Sequence, residues 1–310
     1  MPVACEYRGG KGNNEKVFGQ QIGAADRAVA RSPTARLGAA ERSAQGSVCQ
    51  EGRSRGLKVR REAFVNRFAA YCVIVLSAVL GGGSLLLFYV FLIAGPFTVI
   101  RFDASEGQVL IWNGFLSLLF FVQHSGMIRA PFRTWLSSVI PSHYHPAIYS
   151  IVSGIVLTIV VLLWQTSQTV LFRIQGTLQV LPRAISLLAI AGFIWGVQAL
   201  GAFDAFGRIP IVVHLRNRQL RPPDFVLRGP YLWVRHPLYF FMLVLIWSTP
   251  DMTSDRLLFN VLWTFWIVLG SYLEEKDVVA DFGERYHDYQ NTVPMLLPWK
   301  GPVGQGLRSP

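Results

Sequence analysis

The chain has 310 residues, is 52% hydrophobic, only 15% charged, and carries a net charge of +11. That charged fraction lies well below the roughly 25% usual in soluble domains, and the apolar residues fall in long blocks, which excludes an ordinary soluble globular domain. The positive charge is concentrated in residues 1–67, which hold 13 of the Lys and Arg residues against six acids; this is a basic flank before a first membrane span rather than a nucleic-acid interface.

Residues 1–67 are rich in Gly, Ser, Ala and Arg and poor in large apolar residues, so they are expected to be a disordered basic tail. Cys5, Cys49 and Cys72 show neither metal-ligand spacing nor a disulfide framework, and no metal is expected. From Phe68 onward the blocks suit a bilayer, which needs about 20 apolar residues per helix. Phe68–Ile100, Pro146–Phe172 and Ala184–Phe203 contain no charge, and Gly107–Ile128 holds His124 as its titratable group. Helices are predicted near Ala69–Phe97, Val109–Phe121, Ile148–Trp164 and Ile185–Phe203. Gly192 and Gly196 make a small-xxx-small pair on the fourth, a helix-packing signature. A final hairpin is predicted from Leu238–Pro250 and Leu257–Leu273 around a polar turn at Asp251–Asp255; its first arm is short for a full crossing. The fold class is therefore an all-α polytopic transmembrane bundle. Its domain spans residues 68–300, and residues 301–310 form a flexible tail.

The cationic loop residues test the topology. Arg129 and Arg133, then Arg208, Arg216, Arg218, Arg221, Arg228 and Arg235, then Lys276, Arg285 and Lys300, fall on the same side as the N-terminal tail. The positive-inside rule places that side, with both termini, in the cytoplasm.

The hairpin returns Glu274-Glu275 to the loop Arg228-Gly229-Pro230-Tyr231-Leu232-Trp233-Val234-Arg235-His236-Pro237-Leu238-Tyr239. Charged groups at a membrane edge are costly unless they serve a ligand or each other. Arg can clamp a carboxylate, aromatic faces suit an adenine or a sulfonium cation, and Glu275 suits a ribose diol. Each residue has a plainer reading as well: Arg228 and Arg235 as topology anchors, Tyr231 and Trp233 as an interfacial aromatic belt. Their combination with the returned carboxylates points to a site for a polar, charged small molecule.

Gly229–Tyr239 resembles the Arg-His-Pro-x-Tyr signature of the isoprenylcysteine carboxyl methyltransferase-like membrane methyltransferases. Glu274-Glu275, Phe282-Gly283-Glu284-Arg285-Tyr286, Tyr289 and Val293-Pro294 resemble the rest of that C-terminal block. Within the superfamily the chain is most similar to the methanethiol S-methyltransferase and nitrogen-oxide-associated membrane protein group, through Trp247–Thr253, the Val293–Pro298 ending and Phe121-Val122-Gln123-His124-Ser125 with Arg129. The resemblance covers about Phe203–Pro298 densely and does not cover the tail. It implies S-adenosylmethionine as methyl donor near the cytoplasmic face. Carried over, Gly229, Pro230, Tyr231, Arg235, His236, Tyr239, Glu274 and Glu275 would line that cofactor. His124 has two readings, a base that takes the proton of a thiol acceptor or a satisfied polar group near a helix end.

The chain departs from the family twice. Phe241 stands where a Gly is usual, two residues after the signature Tyr, and is expected to narrow the cofactor cleft. Val268–Leu273 lacks the Arg that many prenylcysteine methylators carry there. The expected function is membrane S-adenosylmethionine-dependent methylation of a small thiol such as methanethiol, with the lipophilic acceptor arriving from the membrane lipid. The alternatives are a lipid or prenylcysteine methyltransferase, a sterol-type reductase, and a non-catalytic accessory protein of nitrogen-oxide metabolism.

Overall fold

The computed structural model describes residues 5–6, 67–97, 99–201, 203–220, 224–225 and 227–302. The predicted disordered tail, residues 1–67, and the predicted flexible tail, residues 301–310, lie almost wholly outside these. The chain forms two compact units, one of Met1–Arg8 with Cys72–Pro310 and the other of Gly9–Tyr71. Of the second, the described part is the opening turn of the first helix.

In chain order the helices are α1 (Arg67–Ala94), α2 (Glu106–Ile128), α3 (Ala130–Ser137), α4 (His145–Leu163) and α5 (Val180–Ala199). There follow α6 (Arg208–Leu215), α7 (Pro237–Trp247), α8 (Ser254–Phe282) and α9 (Glu284–Thr292). Five helices, α1, α2, α4, α5 and α8, are long and apolar enough to cross a membrane. Their outward faces expose large apolar side chains such as Ile111 at 75%, Leu188 at 71% and Phe265 at 67%. In water such surfaces would aggregate; in a bilayer they face lipid. The protein is an integral membrane protein with an all-α bundle.

The core is aromatic. Phe88 and Phe91 of α1, Phe120 of α2, Trp164 beyond α4, and Phe259 and Trp263 of α8 form one buried cluster. Trp263 stacks on Phe120 at 5.2 Å and on Phe259 at 4.7 Å between ring centroids. Elsewhere small residues let backbones touch. A π-helical turn interrupts α1 at Ala78–Gly82, and a Cβ on Gly154 of α4 would fall 2.5 Å from the Leu80 carbonyl oxygen in that turn. Helices pack in lipid through close approach and polar contacts rather than by expelling water. Buried Ser186 follows the second route, its hydroxyl donating to the Ser248 carbonyl at 2.9 Å.

The far end of α8 is locked by side chains. A short antiparallel pair joins β1 (Val170–Arg173) to β2 (Asp251–Thr253). Buried Asp255 accepts from Trp164 Nε1 at 3.0 Å, from the Ser167 amide at 3.0 Å and from Thr253 Oγ1 at 2.7 Å. Arg256 Nη2 donates to the Leu92 carbonyl at 3.0 Å.

Several element boundaries differ from the sequence reading. The helix predicted to end at Phe121 runs to Ile128, so His124 lies within it. The helix predicted over Ile185–Phe203 is shifted toward the N-terminus, because Pro182 is tolerated in its first turn. The hairpin's second arm extends to Phe282 rather than Leu273. Glu274–Asp281 are good enough helix formers to continue it, and it stops where Gly283 takes φ +56°. The carboxylate pair is therefore held inside a helix. The first arm, α7, has 11 residues and spans about 16 Å, short of the bilayer core.

Phe241, expected to narrow the cofactor cleft, is found at a helix contact. Its ring lies on Gly192 of α5, where a Cβ would come within 2.2 Å of it. Gly196 likewise receives Leu238. The small-xxx-small pair is thus the seat on which α7 packs. Gly192→Leu should force α5 and α7 apart at a cost of about 1–3 kcal/mol, the usual penalty for overpacking. A lowered thermal midpoint in detergent, with helix content retained, is the expected readout.

Candidate active site

The site is built where α7 begins, near the late turns of α8. Gly229, at φ +59°, opens a 3₁₀ turn over Gly229–Leu232. A Cβ there would sit 2.9 Å from Ala199 Cβ and 3.3 Å from Trp195 Nε1, so this glycine brings the loop against the end of α5. Arg228 Nε donates to the Ala199 carbonyl at 2.5 Å, satisfying one of the carbonyls left open at that helix end. Pro230 and Tyr231 are buried, whereas Trp233 is exposed. His236 precedes Pro237, which occupies the first turn of α7.

Arg235, His236 and Glu275 are all buried. Arg235 Nε reaches Glu275 Oε1 at 2.6 Å and Nη2 reaches Oε2 at 3.1 Å, a two-pronged pair. His236 Nε2 meets the same Oε1 at 3.2 Å, and Gln290 Nε2 donates to Oε2 at 2.9 Å. A carboxylate has about four lone-pair positions, and these four contacts fill them. Arg235 Nη1 also donates to the carbonyls of Gln290 at 2.9 Å and Val293 at 2.5 Å. The backbone amides of Arg235 and His236 donate to the Pro294 and Met295 carbonyls at 2.9 and 3.1 Å. The loop, α8 and the segment after α9 are thereby sewn together.

Glu274 is different. It is half-buried and accepts from Tyr239 Oη at 2.8 Å. Tyr231 and Tyr149 also lie within reach of its charge. Burial, and then the Glu274 carboxylate, push the Tyr231 phenol well above its ordinary value. Burial does the same to Tyr289, whose hydroxyl donates to the Tyr231 carbonyl at 2.6 Å. Both therefore remain neutral donors at physiological pH. The Tyr239 ring stacks on His236, with centroids 5.5 Å apart.

His124 belongs to the same end of the bundle, because α2 packs along α8. Trp266 Nε1 donates to Ser125 Oγ at 3.0 Å, and Arg129 pairs with Asp277 at 3.9 Å. His124 lies against Phe120 and the edge of Trp266. Its Nε2 is 2.6 Å from Tyr149 Oη of α4.

The structure thus gathers Tyr231, Arg235, His236, Tyr239, Glu274 and Glu275, as the sequence suggested, but divides them. Glu275 and Arg235 face each other, and Glu274 faces Tyr239. Sequence reasoning missed Tyr149 and Gln290. Tyr149, one turn into an apolar helix, has no local signal apart from the helix contact that brings it to His124. Gln290 follows Tyr289 of the C-terminal block and was findable there.

This polytopic membrane bundle, with His, Tyr and carboxylate side chains clustered at one end, has named relatives in sequence. The chain is 36% identical over 208 residues to the methanethiol S-methyltransferase of Pseudomonas sp. (strain GM41(2012)), covering 63% of this chain and 78% of that protein. It is 31% identical over 197 residues to the methanethiol S-methyltransferase of Mycobacterium tuberculosis, covering 63% of this chain and 81% of that protein. Nurim of Mus musculus is 26% identical over 187 residues, covering 57% of this chain and 70% of that protein. No family model and no solved structure matches the chain. The chain belongs to the methanethiol S-methyltransferase family.

Removing one partner of a buried ion pair leaves the other charge uncompensated, at a cost of about 3–5 kcal/mol. Glu275→Ala should therefore lower the unfolding midpoint sharply. Glu284→Gln, at an exposed position, should leave it unchanged. Thermal denaturation of detergent-purified variants checks both.

Proposed function

We propose that this protein is an integral membrane methyltransferase that moves a methyl group from S-adenosylmethionine to a small thiol of the methanethiol type. The observation that carries the reading is the half-buried Glu274 carboxylate, which accepts from Tyr239 Oη at 2.8 Å and has the Tyr231 and Tyr149 phenols near enough to feel its charge. A carboxylate among aromatic rings suits a sulfonium cation, which is attracted both to the charge and to the π faces. The curated relatives, named methanethiol S-methyltransferases, support the acceptor class.

The donor supplies an electrophilic methyl on a positively charged sulfur. Glu274 and the Tyr231 and Tyr239 rings hold that end, and His236 with the Gly229-Pro230-Tyr231 turn borders it. Glu275 and Arg235, expected from the sequence to line the donor, are assigned instead to the framework that fixes His236 and the loop, since every acceptor position on Glu275 is taken. Displacement at the methyl requires alignment more than covalent chemistry, so the work of these residues is orientation and exclusion of water. The thiol must lose its proton, and His124 is the base that receives it. The basic loops Arg208–Arg235 and the residues after α8 orient this end toward the cytoplasm, where the charged donor is found, while the lipophilic acceptor enters from the bilayer.

The test is release of adenosylhomocysteine by the purified protein across thiol, prenylcysteine and phospholipid acceptors. Turnover with methanethiol alone is the expected result, and turnover with none of them overturns the reading. Glu274→Gln should weaken adenosylmethionine binding more than adenosylhomocysteine binding, because the carboxylate distinguishes the sulfonium charge. The expected selective loss is about five- to thirty-fold, as for a partly desolvated cation contact worth roughly 1–2 kcal/mol. Calorimetry with both ligands measures it.

A further inference from the structure

We propose that Tyr149 is the group that meets the acceptor thiol, and that His124 acts through it. The inference rests on the thiol methyltransferase reading above and assigns a residue of α4 to that chemistry. His124 does not face the donor end directly. It is flanked by Phe120 at 5.0 Å and by the edge of Trp266 at 5.2 Å between ring centroids, and its Nε2 hydrogen bond at 2.6 Å leads to Tyr149 Oη. Tyr149 in turn is near enough to Glu274 and Tyr239 to feel their charges, and those two are joined at 2.8 Å. On this assignment Tyr149 links the imidazole to the Glu274 end of the site. One turn further along α4, Ser153 Oγ receives Gln123 Nε2 at 3.1 Å, while the buried Gln123 Oε1 has no partner. A buried acceptor without a donor is costly, and here it marks a spot where a small S–H or water can be received.

The thiol S–H bond breaks and its proton passes to Tyr149 Oη, while the proton already on that oxygen passes to His124 Nε2. The freed sulfur pair forms the new S–CH₃ bond as the donor's S–CH₃ bond breaks. The donor's positive charge is lost, and one positive charge appears on the imidazole, to be released to solvent. A relay through Tyr Oη needs no tyrosinate to accumulate, because the hydroxyl gives one proton as it takes another.

The titratable groups facing Tyr149 are His124 on α2, Glu274 on α8, and Tyr239 on α7. A relay is required only when the acceptor arrives protonated. Tyr149→Phe keeps the ring and removes the hydroxyl. With methanethiol its turnover should fall by about 10²–10⁴-fold, the usual worth of positioned proton transfer, and His124→Gln should match it. The double variant should be no worse than the worse single, as expected of groups acting as a unit. With methaneselenol, which is already ionised at neutral pH, both variants should work at the wild-type rate. Adenosylmethionine affinity by calorimetry should be unchanged in each, which also verifies the fold.

Wild-type turnover of methanethiol by Tyr149→Phe would overturn the proposal. So would equal losses on thiol and selenol, or additive losses in the double variant, since either assigns the pair to packing between α2 and α4. If the wild-type protein itself turns over neither acceptor, the methyltransferase reading fails and takes this inference with it. That outcome is distinct from a variant that keeps wild-type activity.

Discussion

The contact between Arg235 and Glu275 is the constraint on which the site depends. Both groups are buried at the end of a membrane bundle, and neither charge is tolerable there alone. Meeting that demand draws three separate pieces of chain to one place: the loop before α7, the late turns of α8, and the residues after α9. His236 is oriented by the same carboxylate, and Tyr231 is held by Tyr289 from the same C-terminal segment. One carboxylate thus fixes both the loop and the orientation of His236.

Glu274 and Glu275 show how a helix sorts adjacent residues. Successive side chains diverge by about 100° around the axis. One carboxylate turns to Arg235 and is saturated, while the other turns to Tyr239. The length of α8 completes the division. Its 29 residues reach about 43 Å, against roughly 30 Å of hydrocarbon, so the helix carries its carboxylates toward the interface while Asp255 and Arg256 are fastened at the opposite end.

Much of this was legible in the sequence, and the exceptions have physical reasons. Long uncharged blocks announced the spans, because lipid leaves few alternatives for such sequences. The Arg-His-Pro-Leu-Tyr run and the two glutamates announced a cluster, because charge at that depth demands a partner. Which glutamate does what was not legible: the pair is chemically identical, and only helix phase separates its members. The packing of Phe241 was not legible either. A bulky residue at a usual glycine position suggested a constricted cleft, but where its ring packs was decided by Gly192, 49 positions earlier in the chain. Tyr149 was invisible for the same reason, since its meaning comes from the contact between α2 and α4. Local signals fix what must be satisfied, and tertiary contacts decide by whom.

The Phe241–Gly192 contact also bears on which variants this protein tolerates. The contact conserves volume across two helices rather than at one position, with the bulk on α7 matched by a vacancy on α5. Exchanges at either position are then coupled, so what one position tolerates depends on the residue at the other. A larger side chain at position 192 with Phe241 in place would hold the two helices apart, whereas a small residue at position 241 would leave a void beside Gly192. The seam between α5 and α7 is therefore specified jointly, by two residues of which neither suffices alone.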